Sequence, residues 1–308
     1  MSSLRAVVAS VRVGWYREFN WTNPFVGFAL RAVGPLASVI AASTVYYVGS
    51  INNIPPSFNP SLLAFILIGA ALYAHVAAYS WVPTLAIAEG KWTYVFPQVY
   101  ISPHSSLPYL TGRTLASFVT STLTVIVSLI LSFYILSSVF HTNIPFIVNP
   151  VSISLLFLAM VVNIFAALGL GLLLSAYALF ATKFEWALPT YVAGLLMVFS
   201  EALFPVSSLP HPISDVANVL PFTEFMRASR QAMIYGDMYS YFSYLGLAIL
   251  GGIIVLGLGL LAFRYAENRA RRLGVIDKKN SLNPSVTVSL EPCLFPRRHP
   301  SIHRPCSL

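Results

Sequence analysis

The chain has 308 residues, 57% of them apolar and only 9% charged, with a formal net charge of +8. Its mean hydropathy is +0.74. A soluble protein carries about 25% charged residues, so this composition excludes a water-clad globular fold and leaves an all-α, polytopic membrane protein as the expected class.

The first element expected is an amphipathic helix. Leu4, Val7, Val8, Val11, Trp15 and Phe19 recur at helical spacing, with Arg5, Arg12 and Arg17 between them. Residues 1–27 are therefore expected to lie on the cytoplasmic membrane face, where the arginines suit anionic headgroups. No charged-apolar-small pattern marks a cleavable signal peptide. A membrane helix needs roughly 20 apolar residues. Six such runs follow, at 28–49, 61–87, 114–140, 152–180, 187–204 and 241–263, so residues 28–263 are expected to form a six-helix transmembrane domain.

Sixteen of the 18 Lys and Arg residues then fall on the side shared by both termini. Only Arg227 and Arg230 lie opposite. Basic residues stay cytoplasmic beside membrane helices, so both termini are expected inside a cell (plasma) membrane. Residues 264–279 read as a charged helical continuation. Residues 280–308, rich in Pro, Ser and Arg, read as a disordered tail. Cys293, His299, His303 and Cys306 in that tail could supply four zinc ligands, but Pro296, Pro300 and Pro305 interrupt them, and no metal site is assigned.

Catalytic signatures are missing. Gly90-Lys91 is followed by Trp92, with Leu85 where a phosphate-binding loop needs its first glycine. No ATPase motif, bound cofactor or catalytic residue is therefore expected in this chain. Buried ionisable residues are scarce: His75 midway along the second run, Glu201 near the outer end of the fifth, and Arg31 near the inner end of the first. That weighs against an ion-coupled secondary transporter or a membrane-embedded enzyme, the alternative classes. Ser117, Ser121, Thr124, Ser128 and Ser132 share one face of the third run. They pack against a neighbouring helix or line a path. Ala167, Gly171 and Ser175 read as a packing series.

Two stretches between the runs carry the most information. The cytoplasmic one runs Glu89-Gly90-Lys91-Trp92-Thr93 through Phe96 and Pro97 to Ser102-Pro103 and Gly112-Arg113. Trp92, Val95, Phe96 and Val99 would share one apolar face of a short helix, as a docking surface does. The outer stretch is broken by Pro205, Pro210, Pro212 and Pro221, with Pro189 before them. In it Phe222, Phe225, Met226, Ser229 and Met233 share one face, while Glu224, Arg227, Arg230 and Gln231 fall elsewhere. Short re-entrant helices capping the bundle between the fifth and sixth crossings are expected, with the arginines paired to Glu224 or Asp237 or solvated.

These two stretches resemble the permease subunit of ABC-2 type ATP-binding-cassette exporters. The outer likeness rests on Phe204-Pro205, Leu209-Pro210, Leu220-Pro221-Phe222-Thr223, Arg227 or Arg230, and Gly236-Asp237. The inner likeness rests on Glu89-Gly90-Lys91 with Thr93, Ser102-Pro103 and Gly112-Arg113. The resemblance covers roughly residues 5–270, with Pro97 as a departure from the pattern. It implies a second permease subunit, homo- or heterodimeric, and a separate ABC ATPase that holds ATP and Mg. The segment around Glu89, Gly90, Lys91, Trp92 and Phe96 would couple to that ATPase. Membrane lipid is a further expected partner, and nucleic acid is not.

Overall fold

The computed structural model describes residues 3–19, 23–51, 58–93, 95–101, 105–140, 144–181 and 187–274. Among them there are helices and no strands. In chain order these are α1 (Ser3–Phe19), α2 (Pro24–Ile51), α3 (Pro60–Trp92), α4 (Val95–Ile101), α5 (Leu107–Phe140), α6 (Pro150–Phe180) and α7 (Ala187–Phe199). A 3-10 turn at Val206–Ser208 follows, then α8 (Ile213–Val219), α9 (Pro221–Arg230), a π-helical turn (Gln231–Tyr235) and α10 (Met238–Leu273).

Local chemistry sets several boundaries. The Asn59 side chain accepts the Ser61 amide at 2.9 Å, and Pro60 fills the first helical position of α3, where a missing N–H costs nothing. Pro150 and Pro221 open α6 and α9 in the same way. Asp237 caps α10 by accepting from the Tyr239 amide. At its other end α10 stops at Gly274, which takes the left-handed conformation with φ 61°. The charged continuation of the last helix thus reaches Leu273. Residues 275–279 and the 280–308 tail, with Cys293, His299, His303 and Cys306, lie outside the described residues.

Five helices, α2, α3, α5, α6 and α10, are long and apolar enough to cross a membrane. The fifth expected run is shorter as a helix than its 187–204 span. It forms the 13-residue α7, about 20 Å long against a hydrocarbon core of about 30 Å. Apolar residues continue to Phe204, but Glu201 takes a left-handed φ of 58° and turns the chain away at that point.

The core joins α6 and α10 most closely. A Cβ on Gly169 would stand 2.5 Å from the Leu256 amide nitrogen, and one on Gly259 would run into the Gly169 carbonyl. Backbone contact of this kind is how small residues bring membrane helices together. Ala167, Gly171 and Ser175 are buried as well. α3 packs on α5, α6 and α2, and α1 lies along the early part of α5. α9 inserts between α3, α6 and α10, and Phe222, Phe225 and Met226 enter the main apolar core.

Candidate functional site

The junction around α4 begins with Phe96, which is fully buried. It belongs to one buried apolar cluster with Ile87 of α3, Leu110 of α5, Leu179 of α6 and Phe263 of α10. Gly90 lies directly beneath it, since a Cβ there would come within 2.7 Å of the Phe96 Cβ. The expected face of Trp92, Val95, Phe96 and Val99 is therefore divided. Phe96 turns into the protein, Val95 is exposed and Val99 is half-buried. The side chains of Trp92 and Pro97 lie outside the description.

Polar ties surround this contact. The Glu89 carboxylate pairs with Arg17 of α1 at 2.6 Å and stands 3.6 Å from Arg113 of α5. The Lys91 ammonium donates to the carbonyls of Ala178, Leu179 and Ala181, at 2.6, 3.3 and 3.2 Å. A cation there satisfies carbonyls that the end of α6 leaves without helical partners. Tyr100 donates to the Glu267 carbonyl at 2.9 Å. The buried Glu267 carboxylate accepts from Ser105, from the Ser106 amide and hydroxyl, and from Arg271. Arg271 also lies 4.6 Å over the Tyr100 ring. Burial pushes the Tyr100 phenol up to about 12, only partly opposed by Arg271. The phenol therefore stays protonated and donating through the ordinary pH range.

The segment after α7 holds a second cluster. Glu201 Oε2 accepts from Arg227 Nε at 3.1 Å and faces Arg230 Nη1 at 3.4 Å, while Glu201 Oε1 takes the Val206 amide at 2.9 Å. Arg230 also donates to the Glu201 carbonyl, and its guanidinium lies 3.3 Å over the Phe65 ring. Arg227 reaches Glu224 at 3.0 Å and Asn218 at 2.7 Å. Gly69 of α3 admits this turn, because a Cβ there would strike the Ala202 carbonyl and stand 2.6 Å from Arg230 Nη2. The arginines thus pair with Glu201 and Glu224, and Asp237 instead caps α10. Arg230 is 2% exposed and Glu224 5% exposed, so α9 is buried on its polar side as well as its apolar one. Pro221 and Phe222 are buried, while Phe204, Pro205 and Leu220 are half-buried.

The hydroxyl stripe on α5 divides in two. Ser117, Ser121 and Thr124 border a cavity of about 170 Å³ between α2, α3 and α5. Further along, Ser128 donates to the Ala32 carbonyl of α2 at 3.3 Å, and Ser132 is fully buried. His75 faces Ser121 across this contact, with 3.1 Å between Nδ1 and Oγ.

Glu18 and Glu267 were not singled out from the sequence. Glu18 receives Arg31 and the Thr120 hydroxyl, each at 2.7 Å. The available signal was scarcity: an acid beside a long apolar run has to be paired to be tolerated. No family model matches the chain, and no curated protein matches it.

Proposed function

We propose that this chain is the membrane-spanning permease subunit of an ABC-2 type exporter, moving substrate with ATP hydrolysed by a separate subunit. The observation that carries the reading is the mounting of α4. Its inward residue Phe96 is locked among α3, α5, α6 and α10, its neighbour Glu89 holds α1, and Val95 and Gln98 remain exposed. A partner pressing on the exposed face of α4 would load all these helices together. Two global arrangements biased by nucleotide on that partner would then constitute transport.

In this reading α1 lies on the cytoplasmic face. Its exposed Leu4, Val8 and Trp15 meet lipid, and Gly14 is turned toward Arg113 and Ala116 of α5. α7 completes a sixth crossing together with the turn at Glu201, and α8 and α9 form the re-entrant outer segment. A second permease subunit completes the pathway.

The test is co-purification in mild detergent with a candidate ATPase subunit. Val95→Arg, on the exposed face of α4, and Trp92→Ala, in the expected coupling segment, should weaken ATPase association and stimulation while leaving the permease folded. Unchanged association and stimulation in both variants overturns the coupling assignment. Glu89→Gln is a separate probe, since Glu89 also holds Arg17 within the chain.

A further inference from the structure

The cavity between α2, α3 and α5 is lined by Arg31, Pro35, Ala74, Ala78, Val82, Val125 and the α5 hydroxyl residues. Its polar groups are distributed unevenly. Arg31 Nη1 is held by Glu18 at 2.7 Å, while Arg31 Nε and Nη2 carry no partner among the described residues. Ser117 is 3% exposed and lines the cavity, and its hydroxyl likewise has no partner among the described residues. Thr120 donates to Glu18 at 2.7 Å, and Ser121 and Thr124 donate to carbonyls of their own helix. Pro35, four residues after Arg31, has no N–H to give the Arg31 carbonyl. The remaining lining, Ala74, Ala78, Val82 and Val125, is apolar.

An exposed guanidinium with two donors not used within the chain, a hydroxyl on the cavity wall, and apolar walls beside them define one chemistry. Guanidinium groups bind oxyanions through paired N–H donors, and a hydroxyl on the same cavity wall can add a further hydrogen bond. Glu18 fixes one arm of the guanidinium and leaves the other side available. The volume holds a phosphate and a few methylenes, and it is too small for two acyl chains.

We infer that this cavity binds the phosphate end of an amphiphile, with Arg31 and Ser117 as its donors and the alanine and valine walls taking the adjoining methylenes. The site lies within one chain and does not depend on an ATPase partner. A phosphate of this kind can come from a bilayer phospholipid or from a soluble phosphate ester.

The experiment uses the full chain purified in mild detergent and read by native mass spectrometry. Phosphatidylglycerol, diacylglycerol of the same chains and glycerol 3-phosphate are the probes. The unmodified chain should retain phosphatidylglycerol at least about tenfold better than diacylglycerol. Arg31→Gln should lower that retention about tenfold. Ser117→Leu, which fills the cavity without touching the Arg31–Glu18 pair, should do the same with elution and helical content unchanged. Displacement of the lipid by glycerol 3-phosphate assigns the site to a soluble ester, and failure to displace assigns it to the bilayer. Equal retention of phosphatidylglycerol and diacylglycerol, or full retention by the folded Ser117→Leu chain, overturns the inference.

Discussion

Glu201 adopts a conformation that L residues other than glycine rarely take, with φ 58°. Its two oxygens hold two arginines and the Val206 amide. Such a backbone persists where its surroundings over-determine it, and here the side-chain bonds supply that constraint. Glu201→Gln leaves Arg230 buried without its acid, and breaking a buried pair from one side costs about 3–5 kcal/mol. We expect a large fall in the detergent unfolding midpoint, whereas Asp215→Asn, at the exposed His211 pair, should change it little. An equal response of the two variants would sink this account. Asp237 gives a pH test. The Ser240 hydroxyl, with help from the Tyr239 and Ser240 amides, holds its carboxyl below the usual range. A carboxyl depressed on folding stabilises above its unfolded value of about 3.9 and loses that contribution as pH falls through the folded one. The unmodified chain should therefore lose stability relative to Asp237→Ala as pH drops below about 4. Parallel melting curves for the two across that range would show that the cap has no such role.

Helices pack by backbone proximity where glycine permits it, and α10 offers a matched comparison. The site of a Gly259 Cβ is occupied by Gly169 of α6, whereas a Gly257 Cβ would meet nothing within 4 Å. Gly259→Leu forces the two helices apart and should cost at least about 1–3 kcal/mol. Gly257→Leu should fold normally, and equal melting temperatures for both would refute the contact. The long elements were legible in the sequence because each needs only a sustained apolar run and a cap, as at Asn59-Pro60 and Asp237. α7 ends short of the expected run because hydropathy continues through Phe204 while the backbone turns at Glu201. α9 was expected to cap the bundle, with its arginines paired to Glu224 or Asp237 or solvated. Its counter-charge, Glu201, lies 26 residues from Arg227 and 29 from Arg230, too far for any local pattern to reveal. The same limit applied to Phe96, which looked like a docking residue in its own segment and is enclosed by residues as distant as Phe263. Phe222→Asp, accordingly, would bury an unpaired acid in the main core and should abolish folding, detected as loss of monodisperse protein.

At the scale of the whole molecule, charge is concentrated in pairs within and between helices. Of the ten acidic residues, Glu18, Glu89, Glu201, Glu224 and Glu267 each pair with an arginine. This sharpens the orientation argument. The two basic residues assigned to the outer side, Arg227 and Arg230, are engaged by Glu201 and Glu224, so they present little positive charge to an outer surface. In the six-crossing reading proposed above the other sixteen fall on the side of both termini, where the bias that keeps basic residues cytoplasmic would act on them. Exposed positions on the two sides are available for labelling: Ser208 beside the 3-10 turn and Gln98 on α4. In a chain with Cys293→Ser and Cys306→Ser, Ser208→Cys should react with a membrane-impermeant maleimide on intact cells. Gln98→Cys should react only after permeabilisation. Reaction of Gln98→Cys on intact cells would place α4 outside, and with it the whole coupling proposal would fall, because no cytoplasmic ATPase could reach Val95.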